Sequence, residues 1–135
     1  MSLILVRHGE TALNASRVIQ PIDTPLSERG LAQAAAVGRR LSRGEQGARP
    51  RGILSSDLPR ALQTAMAIAS ATGLEVRTTE LLHERNFGDW RGRAYDTLGF
   101  DPLATDDAPP GGESAAQFRA RVALAFDAIL AAHRA

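Results

Sequence analysis

Ser2-Leu3-Ile4-Leu5-Val6-Arg7-His8-Gly9 runs a continuous apolar stretch directly into an Arg-His-Gly triplet. A short apolar run without polar alternation is the pattern of a strand covered on both faces of a parallel sheet. Working outward, a polar loop with Asn14, Gln20, Pro21, Asp23 and Pro25 follows. Ser27 then suits a helix N-cap, and Leu31, Ala34, Ala35 and Leu41 recur at helical spacing up to a stop at Gly44. Gly52–Ser55 reads as a second strand. Asp57 is placed to cap a helix that carries Leu62, Ala65, Met66 and Ala69 on one face and closes at Gly73. Leu74–Thr78 reads as a third strand. This strand–helix alternation predicts an α/β protein with a parallel sheet. Residues 80–112 form a long segment with scattered aromatics, and such segments usually carry function or short helices of their own. A last helix is predicted over Ala115–Ala132, with Phe118, Val122, Ala125, Phe126 and Ile129 on one stripe.

The 135 residues suit one domain, and 44% apolar against 23% charged residues suits an ordinary core. The formal charge is +1, and no basic stripe with interleaved aromatics occurs, which argues against a nucleic-acid or membrane-surface partner. All sixteen basic residues are arginine. Cysteine is absent, so disulfide and thiolate chemistry are excluded. Leu3–Val6 is too short for a signal peptide or a membrane span, and a cytoplasmic location is expected.

The Arg7-His8-Gly9-Glu10-Thr11 stretch carries the chemistry. Ligands of α/β sheets bind at the carboxyl ends of strands, which is where the predicted first strand delivers His8. Imidazole is a competent nucleophile near neutral pH. Arg7 offers a planar fork that matches a phosphate, and Gly9 lets the backbone approach a ligand closely. Taken alone, His8 would read as a histidine filling a strand end. Arg60, in the first turn of a helix, sits where anions are already favoured, although alone it would read as a surface arginine.

The stretch Arg7–Thr11 resembles the signature of histidine phosphatases and cofactor-dependent phosphoglycerate mutases. Asn14, the segment Asp23-Thr24-Pro25-Leu26-Ser27-Glu28-Arg29-Gly30 and the segment Ser55-Ser56-Asp57-Leu58-Pro59-Arg60-Ala61-Leu62-Gln63-Thr64-Ala65 resemble further family positions. So do Leu82-His83-Glu84-Arg85-Asn86-Phe87-Gly88 and Gly111-Gly112-Glu113-Ser114. The likeness runs from Leu3 to about Ile129. It implies a three-layer αβα sandwich with a mostly parallel central sheet, one domain over residues 1–135, with the C-terminal part of the family fold absent. It implies His8 as the residue that takes the phosphoryl group and Glu84 as general acid and base. Arg7 and Arg60 would clamp the phosphate, with Asn14 and Gln20 as further contacts. The competing carboxylate Glu10 reads as a helix-start residue. Arg85 is a candidate substrate contact, and His83 reads as structural or exposed. Trp90, Phe87 and Phe100 read as a local core under the long segment. No metal and no cofactor is called for, since arginine charge takes the metal's place.

Two departures stand out. Where the family has glycine after Gln20, this chain has Pro21, which has no N–H to donate. The family's second catalytic histidine, in a His-Gly pair ending a strand beside the first one, has no counterpart up to Ala135. His133 has neither an apolar strand before it nor a glycine after it. Without that strand, Leu3–Val6 would present an unpaired apolar edge. Truncation, a homodimer that covers the edge, or a degenerate member would each account for this, and truncation is preferred. The expected activity is phosphomonoester hydrolysis, acting on a small phosphorylated substrate or binding inorganic phosphate. The alternatives are mutase-type phosphoryl transfer and a non-catalytic phosphate-binding module.

Overall fold

The computed structural model describes residues 2–44, 47 and 49–134. In chain order it contains α1 (Ala12–Ala15), α2 (Glu28–Ser42), β1 (Ile53–Ser55), α3 (Pro59–Thr72), β2 (Val76–Thr78) and α4 (Ala115–Arg134). The strands β1 and β2 pair in parallel, with Ile53 opposite Val76 and Ser55 opposite Thr78. Helix α3 is the crossover that parallel pairing demands. The protein is therefore α/β, as the alternation predicted. No helix among the described residues is long and apolar enough to cross a membrane.

The main packing contact joins α2 and α3. Ser27 caps α2 by accepting the Gly30 N–H. The buried residues of α2 are Gly30, Ala34 and Gly38, spaced four apart on one small-residue stripe. Gly38 of this stripe faces α3, whose buried residues are Arg60, Thr64, Ala65 and Ile68. A side chain has no room at Gly38, where a Cβ would lie 2.8 Å from the Ala67 carbonyl oxygen. Burying Ile68 contributes about 1.5–3 kcal/mol, and the close helix crossing is what makes that burial complete.

Two sequence expectations need correction. Ser2–Val6 forms no strand; residues 2–10 have no ladder pairing. The reason is that a strand exists only through its neighbours. The edge of β1 away from β2 is open, and among the described residues no segment pairs with the apolar run. Leu3, Ile4 and Val6 are consequently exposed, and Leu5 is 79% exposed. The second correction concerns Asp57, which does not cap α3. Leu58 holds the N-cap position without a side-chain bond, and Pro59 starts the helix. Proline there costs no hydrogen bond, because the first helical N–H groups lack intrahelical partners anyway. The predicted stops hold: Gly73 ends α3 at φ +75°, a left-handed turn natural to glycine.

The long segment is organised by three short 3-10 turns, Glu80–Leu82, Gly88–Trp90 and Tyr95–Thr97. Trp90 and Phe100 meet edge to face at 5.0 Å between ring centroids. Phe87 is buried beneath the Arg85 guanidinium, which lies 5.1 Å from its ring centroid. The predicted local core is present only in part: Phe87 is buried, whereas Phe100 is 46% exposed. It is held by polar bonds too, because Arg85 donates to the carbonyl oxygens of Pro102, Thr105, Asp107 and Glu113.

Candidate functional site

Backbone contact fixes the Arg7–Gly9 bend. A Cβ on Gly9 would sit 2.4 Å from the Gly30 carbonyl oxygen, and one on Gly30 would sit 2.0 Å from that of Glu10. The neighbour that requires glycine at position 9 is therefore the first turn of α2, where the sequence pointed to a ligand. The Gly9 N–H donates to Thr64 Oγ1 (3.1 Å), and the Thr64 hydroxyl donates to the Arg60 carbonyl (2.8 Å). The Arg-His-Gly stretch is thus tied to the N-terminal halves of α2 and α3. Glu10 is occupied by α2: its carboxylate accepts from the Ser27 hydroxyl (3.2 Å) and lies 4.0 Å from Arg29.

His8 is half-buried, and its Nδ1 lies 2.7 Å from the Gly9 carbonyl oxygen. A carbonyl only accepts, so Nδ1 carries the proton. In the neutral ring this leaves Nε2 with a free lone pair.

The loop after His8 supplies further polar groups. Thr11 and Asn14 form a capping box on α1: the Asn14 N–H donates to Thr11 Oγ1 (3.0 Å) and the Thr11 N–H to Asn14 Oδ1 (3.2 Å). The Thr11 hydroxyl donates in turn to Gln20 Oε1. Pro21, lacking an N–H, contributes its carbonyl, which accepts from Arg60 Nη1 at 3.1 Å. Arg60 Nη2 donates to Glu84 Oε2 at 3.0 Å. Arg60 is only 3% exposed, whereas the Glu84 side chain is 49% exposed. The carboxyl expected among apolar residues instead stands at the mouth of the site against a guanidinium.

Arg7, Asn14, Gln20, Arg60 and Glu84 all line one hollow that encloses about 630 Å³ of empty space, its mouth included. Leu58, Phe87, Arg91 and Tyr95 complete much of its wall. His8 lies outside that lining, next in the chain to Arg7. Arg85 reaches the wall, but its guanidinium is committed to the four carbonyls described above, so it braces the long segment. His133 lies near the end of α4 and is exposed.

The segment carrying Glu84 is fastened from α4. Arg121 donates to the carbonyls of Leu81 (2.9 Å), His83 (2.6 Å) and Glu84 (3.3 Å), and to both carboxylate oxygens of Glu113. Burial works to raise the Glu113 pKa. The hydrogen bonds from Arg121 and the Asn86 N–H, with the charges of Arg121 and Arg85, outweigh it and hold the carboxyl below its ordinary value. From the other side, His83 Nε2 bonds Asp57, and that hydrogen bond is the main reason the Asp57 carboxyl is held below its ordinary value.

Sequence reasoning passed over Thr64, Gln63, Arg121 and Glu113 as individual actors. Gln63 Oε1 accepts the Leu26 N–H at 2.8 Å, fastening the polar loop to α3. The one available signal was polarity: Gln63 and Thr64 follow Arg60 by three and four residues, which puts them near its face of the helix. Among the described residues no three histidine or acidic side chains come together as a metal-binding group.

An α/β frame in which two arginines and a carboxylate line one hollow, with a histidine next in the chain to one of those arginines, matches a known class. The chain belongs to the histidine phosphatase superfamily (branch 1), matching its family pattern over residues 3–135. Among its relatives, the fructose-2,6-bisphosphatase TIGAR of Xenopus tropicalis is 40% identical over 93% of this chain and 48% of its own length. Glucosyl-3-phosphoglycerate phosphatase of Mycobacterium tuberculosis is 39% identical over 88% of this chain and 56% of its own length. A mycobacterial glucosyl-3-phosphoglycerate phosphatase, solved with VO3, superimposes with a TM-score of 0.80 at 36% identity, covering 93% of this chain and 62% of that structure. The same enzyme is known in complex with inorganic phosphate. This chain therefore spans about half the length of the curated relatives it matches.

Proposed function

We propose that this chain is a phosphomonoesterase working through a phosphohistidine on His8. The observation that supports the reading is the convergence of Arg7, Asn14, Gln20, Arg60 and Glu84, from separate stretches of sequence, on one hollow, with His8 next in the chain to Arg7. Two guanidinium groups stabilise the charge on the equatorial phosphoryl oxygens. Asn14 and Gln20 offer amide N–H donors, since their oxygens are already used by Thr11.

In the first step the Nε2 lone pair of His8 attacks phosphorus in line. The N–P bond forms as the bond to the ester oxygen breaks, and Glu84 gives its proton to the leaving alcohol. The Nδ1–H bond to the Gly9 carbonyl fixes the reactive tautomer and supports the positive charge that grows on the ring. In the second step water attacks phosphorus, Glu84 takes the water proton, and the N–P bond breaks to release phosphate. The 49% exposure of the Glu84 side chain gives water access and favours hydrolysis over mutase-type transfer to a second alcohol. Relatives whose names specify phosphatases lend the same support.

Incubation with a phosphorylated substrate, followed by 31P NMR of the denatured protein at alkaline pH, tests this. Acid-labile phosphate is expected on the native chain and not on His8→Asn. A chain that binds inorganic phosphate and never forms this adduct would instead be a binding module. That second reading draws on His133, the one histidine of α4, which is exposed.

A further inference from the structure

Gly9 places two soft joints beside His8. With no Cβ to hinder rotation, the peptide planes on either side of it turn readily unless something holds them. The first plane joins His8 to Gly9, and its N–H is held by Thr64 Oγ1 at 3.1 Å. The second joins Gly9 to Glu10. Its N–H donates to Gln33 Oε1 at 2.9 Å, and its carbonyl is the one that lies 2.7 Å from His8 Nδ1.

A peptide unit is planar, and among the described residues no peptide bond is cis. The N–H and C=O of one unit therefore point in opposite directions. Drawing the Glu10 N–H toward Gln33 turns the Gly9 carbonyl the other way, onto the imidazole. That carbonyl decides which ring nitrogen carries the proton and which keeps a lone pair. The acceptor is well founded. Gln33 stands one turn along α2 from Gly30, whose backbone packs against Glu10. The Glu10 carbonyl is held by the same helix start, accepting from the Ser27 N–H (2.9 Å) and hydroxyl (3.1 Å). Gln33 itself is exposed and is no part of the hollow's wall.

We infer that Gln33 is a positioning residue for His8: through the Glu10 N–H it fixes the peptide whose carbonyl selects the Nδ1–H tautomer. Its effect on rate rests on the nucleophilic role proposed for His8; its effect on the tautomer rests on geometry alone.

Long-range 15N–1H NMR of the histidine-labelled chain tests the tautomer at about pH 8.5, where an ordinary imidazole is neutral. The His8 signals are identified by their loss in His8→Asn. The native chain should show the Nδ1–H form. Gln33→Met, similar in length and lacking the acceptor, should show the Nε2–H form or a mixture, whereas Gln33→Glu, which keeps an acceptor oxygen, should stay Nδ1–H. With p-nitrophenyl phosphate as probe, Gln33→Met should form the acid-labile adduct about tenfold more slowly, the worth of one hydrogen bond. Its affinity for inorganic phosphate should be unchanged by calorimetry, because Arg7 and Arg60 remain. A tautomer that Gln33→Met leaves intact overturns the inference, even if the variant is less stable, since Gln33 would then merely tie the loop to α2. A loss of phosphate affinity equal to the loss of rate overturns it as well. A native chain that forms no adduct ends the nucleophile reading instead, and the tautomer then decides the role of Gln33.

Discussion

Replacing Arg121 by Met tests how α4 governs the site. The variant keeps the apolar stem but removes a guanidinium that serves three carbonyls and the Glu113 carboxylate, whose nearer oxygen is 2.6 Å away. Side-chain exposure is 19% for Arg121 and 18% for Glu113. Breaking a buried pair from one side costs about 3–5 kcal/mol. Here water reaches both groups and Glu113 keeps the Asn86 N–H (2.9 Å), so a loss of about 2–3 kcal/mol is expected. For a chain of this size that lowers the melting temperature by about 6–10 °C. Glu113 also gives the effect a pH signature. Its carboxyl is depressed in the folded protein, so its contribution is present above the unfolded value of about 4.3 and is lost as pH falls through the folded value. Urea unfolding of the native chain and Arg121→Met should therefore differ most near pH 7, and the gap should narrow below about pH 4. A gap that stays constant from pH 7 to 3.5, or one under about 0.5 kcal/mol, would refute the reasoning.

Two further outcomes follow from the site. Gly30→Ala drives a Cβ to within 2.0 Å of the Glu10 carbonyl oxygen; despite a helix-propensity gain of about 1 kcal/mol, urea unfolding should show a net loss of about 3 kcal/mol, and a variant as stable as the native chain would remove the backbone contact from consideration. Arg60→Lys keeps the charge but loses the planar fork that spans Pro21 and Glu84, so the dissociation constant for inorganic phosphate should rise by roughly tenfold; an unchanged constant in calorimetry would take Arg60 out of the phosphate clamp.

The helices were legible because their signals are local. Ser27 caps α2 whatever lies elsewhere, and Gly73 ends α3 by its own backbone freedom. The strands β1 and β2 were legible because the helix between them closes their pairing within a short length of chain. Leu3–Val6 has strand composition too, yet a strand needs a neighbour to bond, and composition says nothing of whether one is there. Asp57 was misread for a related reason: its local setting suits a cap, but His83, 26 residues on, is the stronger partner. The candidate site residues were named by family resemblance; what holds them in place was not legible. Arg121 lies 37 residues beyond Glu84, and a guanidinium gathering main-chain carbonyls leaves no pattern in the side chains it serves. The Gly9–Gly30 contact is as silent, being backbone on backbone.

The Arg60–Glu84 pair gives the empty hollow a resident of its own. On the proposed reading, an incoming phosphoryl group evicts a carboxylate from the guanidinium it needs, and Glu84 turns outward to where a leaving oxygen would be. A singly charged intruder such as chloride or acetate gains little by that exchange, whereas a dianion gains a full extra charge. On that reading the pair sets a threshold, and Glu84→Gln, weaker as an occupant of Arg60, should bind inorganic phosphate more tightly while any turnover is lost.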